Sequence, residues 1–356
     1  MPVARRQSDA RRRNPWLWCC ATVLLVAGAG CGSPQSVRLP VPETPRVWPE
    51  PPEQARITYL GAISTEADLQ KSSSLFQGLG DLLFGERQLG VLVSPYAVAV
   101  DTKGTLFVAD SGGAVVHAFD LRTRDYRQFF SLSNGRRLQK PVGVAVLADR
   151  VYVVDSLLRC VCVFSADGKF QFEFGSDRFE RPSGIACSPA GNVVYVTDTA
   201  AHTVYAFASN GAPLGRIGSR GTEAGQFNYP TQLWLDRAGQ LYVSDTLNYR
   251  VQVFDSVGRV IRTFGQQGDR PGNFAHPCGI ATDSRGNIYV ADRQFENVQV
   301  FAPNGQILMA FGQEGQGPGE FWLPAGVCVD ARDRIYVADS FNKRVQIFEP
   351  LGETGE

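Results

Sequence analysis

One motif returns six times along the 356 residues of this chain and restricts its fold more than any other feature. Its fullest copy, Phe321 to Phe348, reads FWLPAGVCVDARDRIYVADSFNKRVQIF. A proline opens each cycle, at Pro95, Pro141, Pro182, Pro230, Pro277 and Pro324. An aspartate closes the second apolar run of each, at Asp110, Asp155, Asp198, Asp245, Asp292 and Asp339. Successive aspartates lie 45, 43, 47, 47 and 47 residues apart. Repeats of this length, built from short β-branched and aromatic runs between Gly, Asn and Asp turns, encode small antiparallel sheets that bury their faces only against their neighbours. The expected fold is all-β, a propeller of six blades.

The two ends of the array are complementary. Middle cycles continue into a fourth strand, such as RVIRTF at 259–264 and QILMAF at 306–311, whereas the last cycle ends without one. Upstream of the first cycle, Ala55 to Ile63 (ARITYLGAI) alternates as a half-buried strand and has no partner in its own neighbourhood. A bare sheet edge exposes unpaired backbone groups. The 55–63 segment is therefore expected to complete the last blade and close the ring, with the propeller spanning 54–352. The stretch Glu66 to Phe84 breaks the period and is expected to hold a short helix over the disc.

Residues 1–30 read as an export signal: five arginines, then an uncharged run from Trp16 to Gly30 that is too short to span a bilayer comfortably. The small residues before Cys31 resemble the lipobox of bacterial lipoproteins, which would make Cys31 a lipid-attachment site, although Gly28 stands where that box usually has Leu. Ala27 to Ala29 also meets the A-x-A rule of ordinary secretory cleavage. Residues 31–53 are rich in proline and read as a semi-rigid tether. The expected location is extracytoplasmic and membrane-anchored, at the outer membrane or periplasm in a Gram-negative host.

Removing residues 1–30 takes five arginines and one aspartate and leaves 30 basic and 34 acidic residues. A mildly acidic domain lacks the basic footprint of nucleic-acid binding, and no nucleic-acid partner is expected. Cys160, Cys162, Cys187, Cys278 and Cys328 remain after the signal and Cys31; with no C-x-x-C spacing they read as small buried hydrophobes. Cys160 and Cys162, two apart on a strand, share a face without easily bonding to each other. No metal and no cofactor are expected.

The six aspartates read as structure. Each can accept hydrogen bonds from the turn that follows, and Asp245 and Asp339 can pair with Arg250 and Arg344 five residues on. With these residues in view, the cycles Phe227 to Phe254, Phe274 to Phe301 and Phe321 to Phe348 resemble the NHL repeat, and the array is similar to the six-bladed NHL propellers of bacterial envelope lipoproteins. The resemblance implies a rigid platform for protein or other ligands, with a minority of related propellers acting as enzymes. Val115, Cys160, Thr203 and Asn297 replace the loop-end arginine in the other four blades, which must hold their turns by other means.

Enzymes of the lyase or lactonase kind carry acids, amides or histidines aimed into the channel. The inner strands here read YAVAVD, VGVAVL, SGIACS, TQLWLD, CGIATD and AGVCVD, with acids only in end turns. His117, His202 and His276 fall at unlike places in their cycles. The leading reading is a non-enzymatic, monomeric scaffold for an envelope protein or ligand; the alternative is a lyase- or lactonase-like enzyme with a divergent metal site. Loops after the second strands and before the inner strands share one end of the disc and vary most. Leu157, Leu158, Arg159, Tyr229, Tyr249, Arg293, Phe295, Trp322, Phe341 and Lys343 lie in them as candidate anchors. Gln232 and Trp234 replace small residues on the fourth inner strand and mark either a ligand cavity at the channel mouth or uneven packing between blades.

Overall fold

The computed structural model describes residues 45–69 and 90–352 except 189 and 191. The signal, Cys31, the first part of the tether and most of the 66–84 segment lie outside the described residues. Of that segment, Glu66–Leu69 forms one 3-10 turn with Leu69 buried.

The described residues form six antiparallel sheets. The inner strands begin on the six prolines and run Pro95–Val100, Pro141–Leu147, Pro182–Cys187, Pro230–Leu235, Pro277–Thr282 and Pro324–Val329. Proline is tolerated there because the first residue of a strand need not donate to the ladder. Second strands end on the aspartates, and third strands carry the R-V-Q-V-F run or its equivalent. Tyr126–Phe129, Phe170–Phe174, Pro213–Ile217, Val260–Phe264 and Ile307–Phe311 complete the first five blades.

The sixth blade takes its outer strand from the other end of the chain. Ile57–Ile63 pairs antiparallel with Arg344–Pro350, Tyr59 opposite Phe348 and Ile63 opposite Val345. Its side chains alternate between buried and half-buried, so one face enters the core, as the sequence alternation requires. The sheet extends one strand further than expected: Val47–Trp48, within the proline-rich stretch, pairs with Ile57–Thr58. Trp48 sets its ring edge-on to Phe348, centroids 5.8 Å apart, and 6.0 Å from Phe311.

Neighbouring blades share their cores. Phe227 packs on Phe254, Phe274 on Phe301 and Phe321 on Phe348, at centroid separations of 5.6, 5.5 and 5.8 Å. Each pair lies within one blade and joins the residue entering it to one at or near the end of its third strand, while Val251 and Val253 of blade 4 pack in one core with Ile280 and Val290 of blade 5. Around the axis the inner strands approach closely: a Cβ on Gly279 would overlap the backbone of Ala325 in the next blade. Glycine at that place removes the obstruction.

Candidate functional site

The loop end of the disc is organised by the six aspartates, all fully buried. In blade 2, Asp155 accepts from the amides of Gln139 and Lys140 in the entering loop and of Leu157 and Leu158 in the following turn, at 2.6 to 3.1 Å. Asp292 does the same with Ala275, His276, Gln294 and Phe295. One carboxylate thus clamps two loops, which a buried charge requires if it is to be fully hydrogen-bonded. In blades 4 and 6 side chains replace the turn amides. Asp245 receives Asn248, Arg250 and Gln252, and Asp339 receives Asn342, Arg344 and Gln346. In blade 1 His117 Nε2 stands 3.4 Å from Asp110 Oδ2, and its Nδ1 is 2.7 Å from the Tyr126 hydroxyl. Burial raises the Asp110 carboxyl, but bonds from His117 and the amides of Val93, Gly113 and Ser94 outweigh it, and the net shift is downward.

The residue after the aspartate joins blades. Thr199 donates to Pro230 O at 2.8 Å, Thr246 to Pro277 O at 2.9 Å and Ser340 to Pro95 O at 2.6 Å. Blade 5 has Arg293 at this place. Its guanidinium lies 6.0 Å from the ring of Tyr96, which belongs to blade 1. Burial raises the Tyr96 hydroxyl, with Arg293 and, more weakly, Arg181 pulling it back. Arg181 in turn covers Tyr229 at 5.6 Å, and His202 meets the same ring edge-on at 4.6 Å. Among the described residues, neither Arg181 nor Arg293 has a carboxylate within 4.0 Å. Tyr96 and Arg181 are absent from the sequence reading. The available signal was a tyrosine after the opening proline, where the other cycles have Val, Ser, Thr, Cys or Ala.

The candidate anchors divide into two groups. Leu157 is 62% exposed, Trp322 41% and Phe341 54%; the rings of the last two pack at a tilt, centroids 5.6 Å apart. Arg159 and Lys343 are exposed. Tyr229, Tyr249, Arg293 and Phe295 are half-buried, and Tyr249 packs on the core shared by blades 4 and 5. Leu158 likewise packs inward, against the core of blades 1 and 2.

Gln232 and Trp234 line the axial channel, a cavity of about 150 Å³ bounded by residues of all six inner strands. Trp234 Nε1 donates to Thr282 Oγ1 at 3.0 Å. Gln232 is 9% exposed, and its Nε2 has no acceptor among the described residues. Ala99, Val146, Ile185, Leu235 and Val329 are among the other side chains that line the channel.

Among the described residues, one group of metal-type ligands comes together elsewhere. The ligand atoms of Cys160, Cys162 and Glu173 lie within 4.8 Å of one another. The Cys162 thiol is pushed upward by its hydrogen bond with Cys160 and by burial. Cys278 is buried and pushed up to about 12 by desolvation, as an inert core thiol should be.

This architecture defines a six-bladed β-propeller bearing an NHL repeat: the family model described as NHL repeat matches residues 321–348, the third-to-last through final strands of the sixth blade's own cycle. No curated protein matches the chain in sequence. Solved structures of similar fold include an auxiliary nutrient-binding protein from Bacteroides thetaiotaomicron, with TM-score 0.58, 12% identity and coverage of 73% of this chain and 69% of that one. Virginiamycin B lyase from Staphylococcus aureus gives 0.53, 14%, 73% and 96%. A gluconolactonase from Xanthomonas campestris gives 0.54, 18%, 73% and 89%. At these identities the likeness is one of fold, shared by binding proteins and enzymes alike.

Proposed function

We propose that the protein is a non-enzymatic binding scaffold, held at the cell envelope through Cys31, whose loop end receives a protein partner. The carrying observation is the Trp322–Phe341 pair. Two large rings, 41% and 54% exposed, meet at a tilt of 40° at the loop end where Asp339 receives the Trp322 amide. Exposed aromatics on a rigid frame bury much area at little entropic cost, the usual character of interface hot spots. The exposed Leu157 and Leu247, and Arg181 and Arg293, which among the described residues have no carboxylate within 4.0 Å, lie in loops of the same end, so the surface suits a partner offering apolar side chains with acidic groups among them.

Among the residues that bound the channel none is an aspartate, a glutamate or a histidine, which supports a binding role over a catalytic one. An enzyme of the lyase or lactonase class needs acids, bases or metal ligands aimed at substrate. Crosslinking on intact envelopes tests the reading. A partner recovered with the wild type should be lost with Trp322→Ala and Phe341→Ala and kept with Leu308→Ala, an exposed residue on an outer strand. Equal recovery with all three variants would remove the loop end as the docking surface.

A further inference from the structure

Blades 4 and 6 tie the entering loop to the start of the third strand through an arginine and a glutamine two residues apart. Gln252 Nε2 spans Asp245 Oδ2 at 3.0 Å and Gln226 O at 2.7 Å, and Arg250 Nη2 reaches Gln226 O at 3.0 Å. Register puts Arg250 opposite Asp245 and Gln252 opposite Val243. In blade 2 those two places, opposite Asp155 and Val153, are taken by Cys160 and Cys162. Neither thiol can repeat the arginine–glutamine bridge.

The two thiols form a different constellation. Both are free, 2% and 0% exposed, with sulfurs 3.6 Å apart. A disulfide needs about 2 Å. A tetrahedral cation bound to two thiolates at about 2.3 Å holds its sulfurs about 3.8 Å apart. Glu173, opposite Cys162 on the neighbouring strand, brings the third ligand atom within 4.8 Å. Arg136, from the loop entering blade 2, donates to Glu173 at 2.6 Å from the other side.

We propose that Cys160, Cys162 and Glu173 bind one thiophilic divalent cation of the zinc class at the seam between blades 1 and 2. Binding displaces the two thiol protons to solvent and involves no oxidant or reductant. Two thiolates, a carboxylate and the dication carry one net negative charge, which Arg136 balances. The ion joins the third and fourth strands, and through Arg136 the entering loop, doing in blade 2 what the arginine–glutamine pair does in blades 4 and 6. Zinc and cadmium suit mixed thiolate and carboxylate donors, whereas magnesium and calcium select oxygen alone. Glu173 and Arg136, with side chains 29% and 45% exposed, give the ion its way in.

Titration of the reduced full chain with Cd²⁺, followed by thiolate-to-metal charge-transfer absorbance, tests the site. The wild type should take up one ion per chain, displaceable by Zn²⁺, with an upward shift in Tm. Cys160→Ala and Cys162→Ala should abolish the band. Glu173→Gln, at a partly exposed position that leaves the core intact, should weaken affinity about tenfold or more, and Cys187→Ala should change nothing. Absence of the band in the wild type, its persistence in the Cys160→Ala, Cys162→Ala double variant, or unchanged affinity in Glu173→Gln would each overturn the proposal.

Discussion

Arg344 Nε lies 2.8 Å from Asp339 Oδ2, and the same guanidinium donates to the carbonyls of Gln316, Gly317 and Glu320 at 2.8 Å. One side chain therefore neutralises a buried carboxylate and fastens the loop that leads from blade 5 into blade 6. The rigidity of the loop carrying Trp322 depends on it, since Asp339 also receives the Trp322 amide at 2.8 Å.

Arg344→Ala should lower stability by about 3 kcal/mol, the loss typical when one member of a largely buried pair is removed. Urea unfolding of the purified protein measures it. Burial already pushes the Asp339 carboxyl upward against the Trp322, Asn342 and Arg344 contacts. A folded-state pKa above the unfolded one favours the fold below the unfolded value, and that advantage is lost as pH rises through the folded value. The deficit of the variant should therefore be largest at neutral pH and narrow in acid, where protonation removes the unpaired charge. A deficit independent of pH would mean that the charge of Asp339 is irrelevant to it.

Trp48 and Gly319 should be coupled. Gly319 has φ +76°, and a Cβ there would overlap the Trp48 ring. Gly319→Ala combines a backbone cost of about 1–2 kcal/mol with displacement of the indole. In a Trp48→Ala background only the backbone part should remain, so a double-mutant cycle on unfolding free energies should return a non-zero coupling. Strict additivity would place Trp48 off the sixth blade.

His276 should make stability fall as pH drops below about 6.5. Desolvation, with a further push from Arg293, lowers its pKa below the ordinary value of 6.5. The unfolded chain then binds the proton more readily than the folded one, and stability rises with pH in that range. It is fully present above the unfolded value and is lost as pH falls towards the folded one. His276→Gln should flatten this part of the profile in thermal melts at stepped pH. An unaltered slope would assign the dependence to other groups.

The count of blades, their strand order and the closure of the ring were all legible in the chain itself. Hydrogen-bonded strands impose a period of two, turns require Gly, Asn and Asp, and an unpaired edge at one end calls for a spare strand at the other. Ile57–Ile63 could be matched to Arg344–Pro350 on that reasoning alone. Folding decided what no local period encodes: Trp48 on the last blade, Arg293 reaching Tyr96 of blade 1 from blade 5, and Glu173 beside Cys160 and Cys162. The reason is physical. Strand pattern follows from neighbouring residues, whereas the meeting of side chains from different strands and blades depends on sheet twist, register and the curvature of a closed ring.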